Sequence, residues 1–104
     1  EIITEANPTN PLNFVRNKIY QVAKGTKEIK IYQKSKDNLK KMQDAELTAS
    51  KNPAGIAAAL VYTSMIILDL HVKQSQIARI FGVSDLCVRK NSKELFSLLE
   101  RNSG

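Results

Sequence analysis

The sequence predicts an all-α fold of five helices, with the third at the centre and the last two forming a helix-turn-helix. Three observations carry this prediction. No residue from Ala54 to Leu68 is charged, and small or apolar side chains occupy every face, the pattern of a helix enclosed by others. No segment of strand length shows the period-two alternation of a half-buried strand. Helix starts and stops recur at short intervals, at Asn10-Pro11, Gly25, Asn52-Pro53 and Gly82. Short connections between such segments give a compact bundle.

The bulk numbers narrow the function. A chain of 104 residues is expected to be one domain, long enough to bury a core without disulfides. Its single cysteine, Cys87, excludes an intrachain disulfide and fits a reducing compartment. The net charge of +6 points to a polyanionic partner, most often nucleic acid. Glu1 to Asn10 lacks the apolar core of a signal peptide. The Ala54–Leu68 stretch is shorter than a membrane span and is closed by Asp69 and His71, so no membrane partner is expected.

In chain order, residues 1–9 read as a linker or lead-in, and residues 10–101 as the folded repeat. Pro8 and Pro11 in a polar stretch suit a domain boundary, and the abrupt start suggests a piece of a longer protein. The first helix is expected from Pro11 to about Lys24, with Phe14, Val15, Ile19 and Val22 inward and Gly25 as its stop. Thr26 is expected to cap a second helix from Lys27 to about Glu46. Ile29, Tyr32, Leu39 and Met42 form its stripe, with Ser35 or Lys36 filling the gap. Its outer face carries Lys27, Lys30, Lys34, Lys36, Lys40 and Lys41, a solvated face or a non-specific phosphate contact. Leu47 to Lys51 connects to the third helix. There Asn52 is the N-cap, Pro53 suits the first turn, and Ala57, Ala58 and Ala59 let neighbours approach closely.

Residues 74–100 have the layout of a helix-turn-helix. Gln74 to Phe81 is a short helix with Ile77, Ala78 and Phe81 inward, and Ala78 is small where the next helix crosses. Gly82 occupies the turn, where a positive φ is needed. Ser84 caps a last helix from Asp85 to about Glu100, with Val88, Leu95 and Leu98 inward and Val83 and Val88 plugging the angle. A hairpin of helices with no DNA role has the same pattern. If the motif binds DNA, its second helix reads the major groove. Arg89 then suits guanine and Leu86 a thymine methyl, while Lys73, Arg79, Ser84, Lys90 and Lys93 suit the backbone.

Catalysis is not expected. His71 is the only histidine, and neither metal-ligand spacing, a phosphate loop nor a nucleophile motif is present. Cys87 reads as a small, partly buried packing residue. No metal, cofactor or small-molecule substrate is expected.

Several blocks together resemble a known family. They are Asn52-Pro53-Ala54-Gly55-Ile56-Ala57-Ala58-Ala59-Leu60-Val61-Tyr62, then Gln74-Ser75-Gln76-Ile77-Ala78, Gly82-Val83-Ser84, Val88-Arg89 and Lys93-Glu94-Leu95. They are similar to the second, C-terminal cyclin-like repeat of archaeal transcription factor B, counterpart of the eukaryotic general transcription factor IIB. Pro11-Leu12-Asn13-Phe14-Val15 resembles the start of that repeat, so the likeness runs over about residues 8–100.

The resemblance implies a five-helix cyclin-like fold and partners in promoter DNA, TATA-binding protein and RNA polymerase. It implies that the last two helices read the element upstream of the TATA box, with Leu86 and Arg89 at the base-contacting positions. It implies a monomeric bridging module, in the archaeal cytoplasm or, in a eukaryote, the nucleus. Most contact with TATA-binding protein is then expected from a first repeat that this chain lacks. Three positions depart from the family: Lys73 and Cys87 stand where threonine is usual, and Ser92 where an aromatic is usual. Losing the threonine at position 73 removes a cap worth ~1 kcal/mol. Two other readings stay open, a cyclin-like adaptor that binds only protein and a divergent helix-turn-helix regulator.

Overall fold

A computed structural model describes residues 10–49 and 51–103; the lead-in expected over 1–9 lies outside them. Five α-helices follow one another: α1 Pro11–Lys18, α2 Thr26–Asp44, α3 Pro53–Ile67, α4 Gln74–Phe81 and α5 Asp85–Ser103. A single 3₁₀ turn, Ile19–Gln21, follows α1. No strand occurs among the described residues, and no helix there is long and apolar enough to cross a membrane.

The two Asn-Pro pairs start helices by the same chemistry. Asn10 Oδ1 accepts the Leu12 N–H at 3.0 Å, and Asn52 Oδ1 accepts the Ala54 N–H at 2.9 Å. Each satisfies one of the donors that a helix start leaves open, while proline lacks the N–H that would be another.

α3 is the central element and packs against all four other helices. Gly55 through Val61 are buried without interruption, as are Thr63, Ser64 and Met65. The branched side chains Ile56, Leu60 and Val61 each contribute roughly 1.5–3 kcal/mol by leaving water. The buried hydroxyls are satisfied locally. Thr63 Oγ1 donates to the Ala59 carbonyl at 2.8 Å, and Ser64 Oγ lies 3.2 Å from Ser35 Oγ of α2.

α2 presents a partly different face from the one expected. Ile31, Ser35, Asn38, Leu39 and Met42 are buried, whereas Ile29 is 58% exposed and Tyr32 only half-buried. Leu39, Met42 and Ser35 are inward as read, Ser35 against Ser64 of α3, and the difference lies in Ile31 taking the place expected for Ile29 and Tyr32. Thr26 is the first helical residue and not the cap. Gly25 holds the cap position at φ 69°, ψ −134°, a conformation that a Cβ disfavours. α1 is shorter than expected, since the chain tightens into the 3₁₀ turn and must then reach Gly25.

Three helices end in the same hydrogen-bonded motif, with a left-handed residue after the last turn. Gly82 (φ 69°) closes α4, with Val83 N–H donating to the Ala78 carbonyl at 3.0 Å. Asp69 (φ 61°) closes α3 through Leu70 N–H to the Met65 carbonyl at 2.8 Å. Glu46 (φ 59°) closes α2 through Leu47 N–H to the Met42 carbonyl at 2.9 Å. Only the first of these was signalled by a glycine. Glu46→Gly should therefore stabilise the fold by up to about 1 kcal/mol, because glycine relieves the left-handed strain. Gly82→Val should cost about 1–3 kcal/mol for the converse reason. Thermal and urea unfolding midpoints of the two variants check both signs.

Candidate nucleic-acid interface

The turn between α4 and α5 is held from both sides. Gly82 stops α4, and two residues later Ser84 Oγ accepts the Cys87 N–H at 3.1 Å, capping α5. The Val88 N–H reaches the Ser84 carbonyl at 3.2 Å and begins the α5 ladder. Gln74 Nε2, in the first turn of α4, donates to the Asp85 carbonyl at 3.1 Å. That bond ties the start of one helix to the start of the other. Ile77, Ala78 and Phe81 of α4 and Val88 of α5 are buried in the angle, with Val83 half-buried beside them.

The outer face of α5 carries the charge. Asp85, Leu86, Arg89, Lys90 and Lys93 are all exposed, Leu86 to 54%. Leu86 and Arg89 are three residues apart, and Arg89 and Lys93 four, so they share one face. Lys73, Arg79 and Ser84 are exposed on α4 and the turn. Arg89 makes no ion pair with Asp85 or Glu94. Glu94 instead pairs with Lys51 at 3.1 Å, joining the α2–α3 loop to α5. Ser84 Oγ is the acceptor in the cap, so that bond does not use its O–H proton.

The sequence is similar to transcription initiation factors IIB of several archaea. Identity with that of Sulfurisphaera tokodaii is 42% over 59 residues, 57% of this chain and 19% of that protein. Identity with that of Archaeoglobus fulgidus is 31% over 88 residues, 85% of this chain and 26% of that protein. The chain belongs to the transcription initiation factor IIB family. The factor IIB of Methanosarcina mazei matches still more of it, 29% identical over 101 residues, 96% of this chain and 29% of that protein. The chain thus spans less than a third of the length of these factor IIB relatives. No family profile matches it.

The helical arrangement agrees with a factor IIB cyclin-like repeat, and it shows where the departures from that family fall. Lys73 occupies the α4 cap position with no side-chain cap bond, as expected. Cys87 and Ser92 lie away from the exposed face. Ser92 is buried, and Cys87 is half-buried with its Sγ accepting from Asn91 Nδ2 at 3.6 Å. Both bear on how α5 packs and not on what it exposes.

Gly55 of α3 approaches α5 closely, a role that the alanine run overshadowed. A Cβ there would lie 2.6 Å from Cys87 Sγ and 3.2 Å from Asn91 Nδ2. Neither this contact nor the Gln74–Asp85 bond leaves a periodic signal, since each joins two different helices. Gly55→Ala should destabilise by roughly 1–3 kcal/mol through overpacking, and Cys87→Ala in the same chain should restore much of the loss. A double-mutant cycle in urea checks the coupling. Lys73→Thr should gain ~1 kcal/mol by supplying the absent cap, read as a rise in melting temperature.

Proposed function

We propose that this chain is the promoter-DNA-binding module of a transcription initiation factor B-like protein. It reads the duplex upstream of the TATA box and helps to bridge TATA-binding protein on DNA to RNA polymerase. The observation that carries the reading is the single exposed face of α5, where Leu86, Arg89, Lys90 and Lys93 stand together. Arg89 is free of the two carboxylates that would otherwise engage it within α5, and α5 is fixed by its cap and by Gln74. The factor IIB relatives are named for transcription initiation, which supports the biological setting.

In this reading α5 lies in the major groove. The guanidinium of Arg89 donates a pair of hydrogen bonds to O6 and N7 of a guanine, and Leu86 packs on a thymine methyl. Lys73, Arg79, Ser84, Lys90 and Lys93 hold backbone phosphates and set the register. The module binds and positions, and it catalyses no reaction. It acts where promoter DNA is, in the archaeal cytoplasm or a eukaryotic nucleus.

Arg89→Ala should lose about 1–3 kcal/mol on a TATA-flanking site and much less on scrambled duplex in the same salt. Arg89→Lys should keep the non-specific part and lose most of the preference, because an ammonium lacks the planar fork. Equal losses on both duplexes would reduce Arg89 to a phosphate contact. Binding that ignores salt would favour the protein-only adaptor instead.

A further inference from the structure

The six lysines of α2 remain outside this reading. Helix geometry divides them into two sets. Lys27, Lys30, Lys34 and Lys41 fall within one narrow stripe, while Lys36 and Lys40 lie on the flank nearer α1. Lys27, Lys30 and Lys41 are exposed and Lys34 is half-buried. The only ion pair within α2 is Lys40 with Asp44, at 4.0 Å, and it leaves the stripe uncompensated. Asp37, at the edge of the stripe, reaches neither Lys34 nor Lys41 within ion-pair distance.

We infer that this stripe is a second, sequence-independent contact for the phosphate backbone of duplex DNA. It shares with the reading above only the class of partner. From Lys27 to Lys41 the stripe runs roughly 21 Å along the helix, enough to face several phosphates at about 1.7 Å of duplex axis per charge. It contains no apolar anchor, so it suits neither a helix laid into a groove nor insertion into a membrane surface. The supporting helix is rigid, since Ile31, Leu39 and Met42 are buried beneath it. Its first lysine is also placed near the helix-turn-helix. Lys27 lines one depression with Lys24 and His71, and Lys73 at the start of α4 is two residues further on. The N-terminal end of the stripe therefore lies toward the segment that leads into α4, so one bent or long duplex can touch both.

The test measures binding of the full chain to a mixed-sequence duplex of about 40 base pairs across a salt series. The variants are Lys30→Gln/Lys34→Gln/Lys41→Gln, Asp37→Asn, Lys90→Gln/Lys93→Gln and Arg89→Ala. The triple variant should lower the log-log salt slope by about 2–3, at roughly 0.9 per phosphate contact. It should leave the ratio of matched to scrambled affinity unchanged, and Asp37→Asn should tighten binding. A triple variant with wild-type slope and affinity overturns the inference. If the α5 variants change nothing while the triple variant weakens binding, the stripe stands and the α5 reading fails; the reverse pattern fails the stripe alone. Polyglutamate displacing the duplex from wild type as well as unlabelled duplex does, at equal charge, would assign the stripe to an acidic protein and overturn the inference too.

Discussion

Burial of α3 on all sides is the constraint on which the remaining structure depends. A helix with no polar face has no stable position at a surface, so the other elements must enclose it. Enclosure in turn limits side-chain size. Ala57, Ala58 and Ala59 are fully buried, and at Gly55 there is no room even for a methyl group beside Cys87. The orientation of α5 is thereby set from beneath. Its buried residues Val88, Leu95 and Leu98 are committed to the core, and its charged residues are left on the outside. The exposed face of α5 is thus a by-product of how α3 is covered.

Much of this was legible in the residues. The start of α3 and the extent of α4 followed from Asn52-Pro53 and Gly82, because each rests on local backbone chemistry. The exposure of Leu86, Arg89, Lys90 and Lys93 followed from periodicity once Val88 was taken as inward. α2 was harder to read. Leu39 and Met42 were read as inward with Ser35 or Lys36 filling the gap before them, but Asn38 is buried too and a hydropathy pattern counts it as outward, so Ile29 was taken for Ile31. The ends of α2 and α3 were displaced by one or two residues because Glu46 and Asp69 adopt a conformation usually marked by glycine. The Gln74–Asp85 and Lys51–Glu94 contacts join one element to another, and no spacing rule within a helix reaches them.

The charged surface has two parts with different requirements. In the proposed reading, recognition by α5 depends on angle and depth, and the cap at Ser84 and the Gln74 bond constrain the start of that helix. A lysine stripe needs only proximity, because an ammonium on a flexible stem adjusts to phosphates at many positions. In these two readings the precise contacts fall where the backbone is braced, and the tolerant ones along a helix whose lysines form a single i,i+4 ion pair.

The central position of α3 also has a temporal consequence. α3 is complete by Ile67, yet one whole side of it, including Gly55, is covered by residues of α5. During synthesis the charge-free helix emerges before the segment that shields it. Until residues 85–103 have left the ribosome, the side of α3 that α5 covers in the folded domain lacks that cover. A chain shortened within α5 would thus lose cover over the central helix as well as the charged outer face of α5.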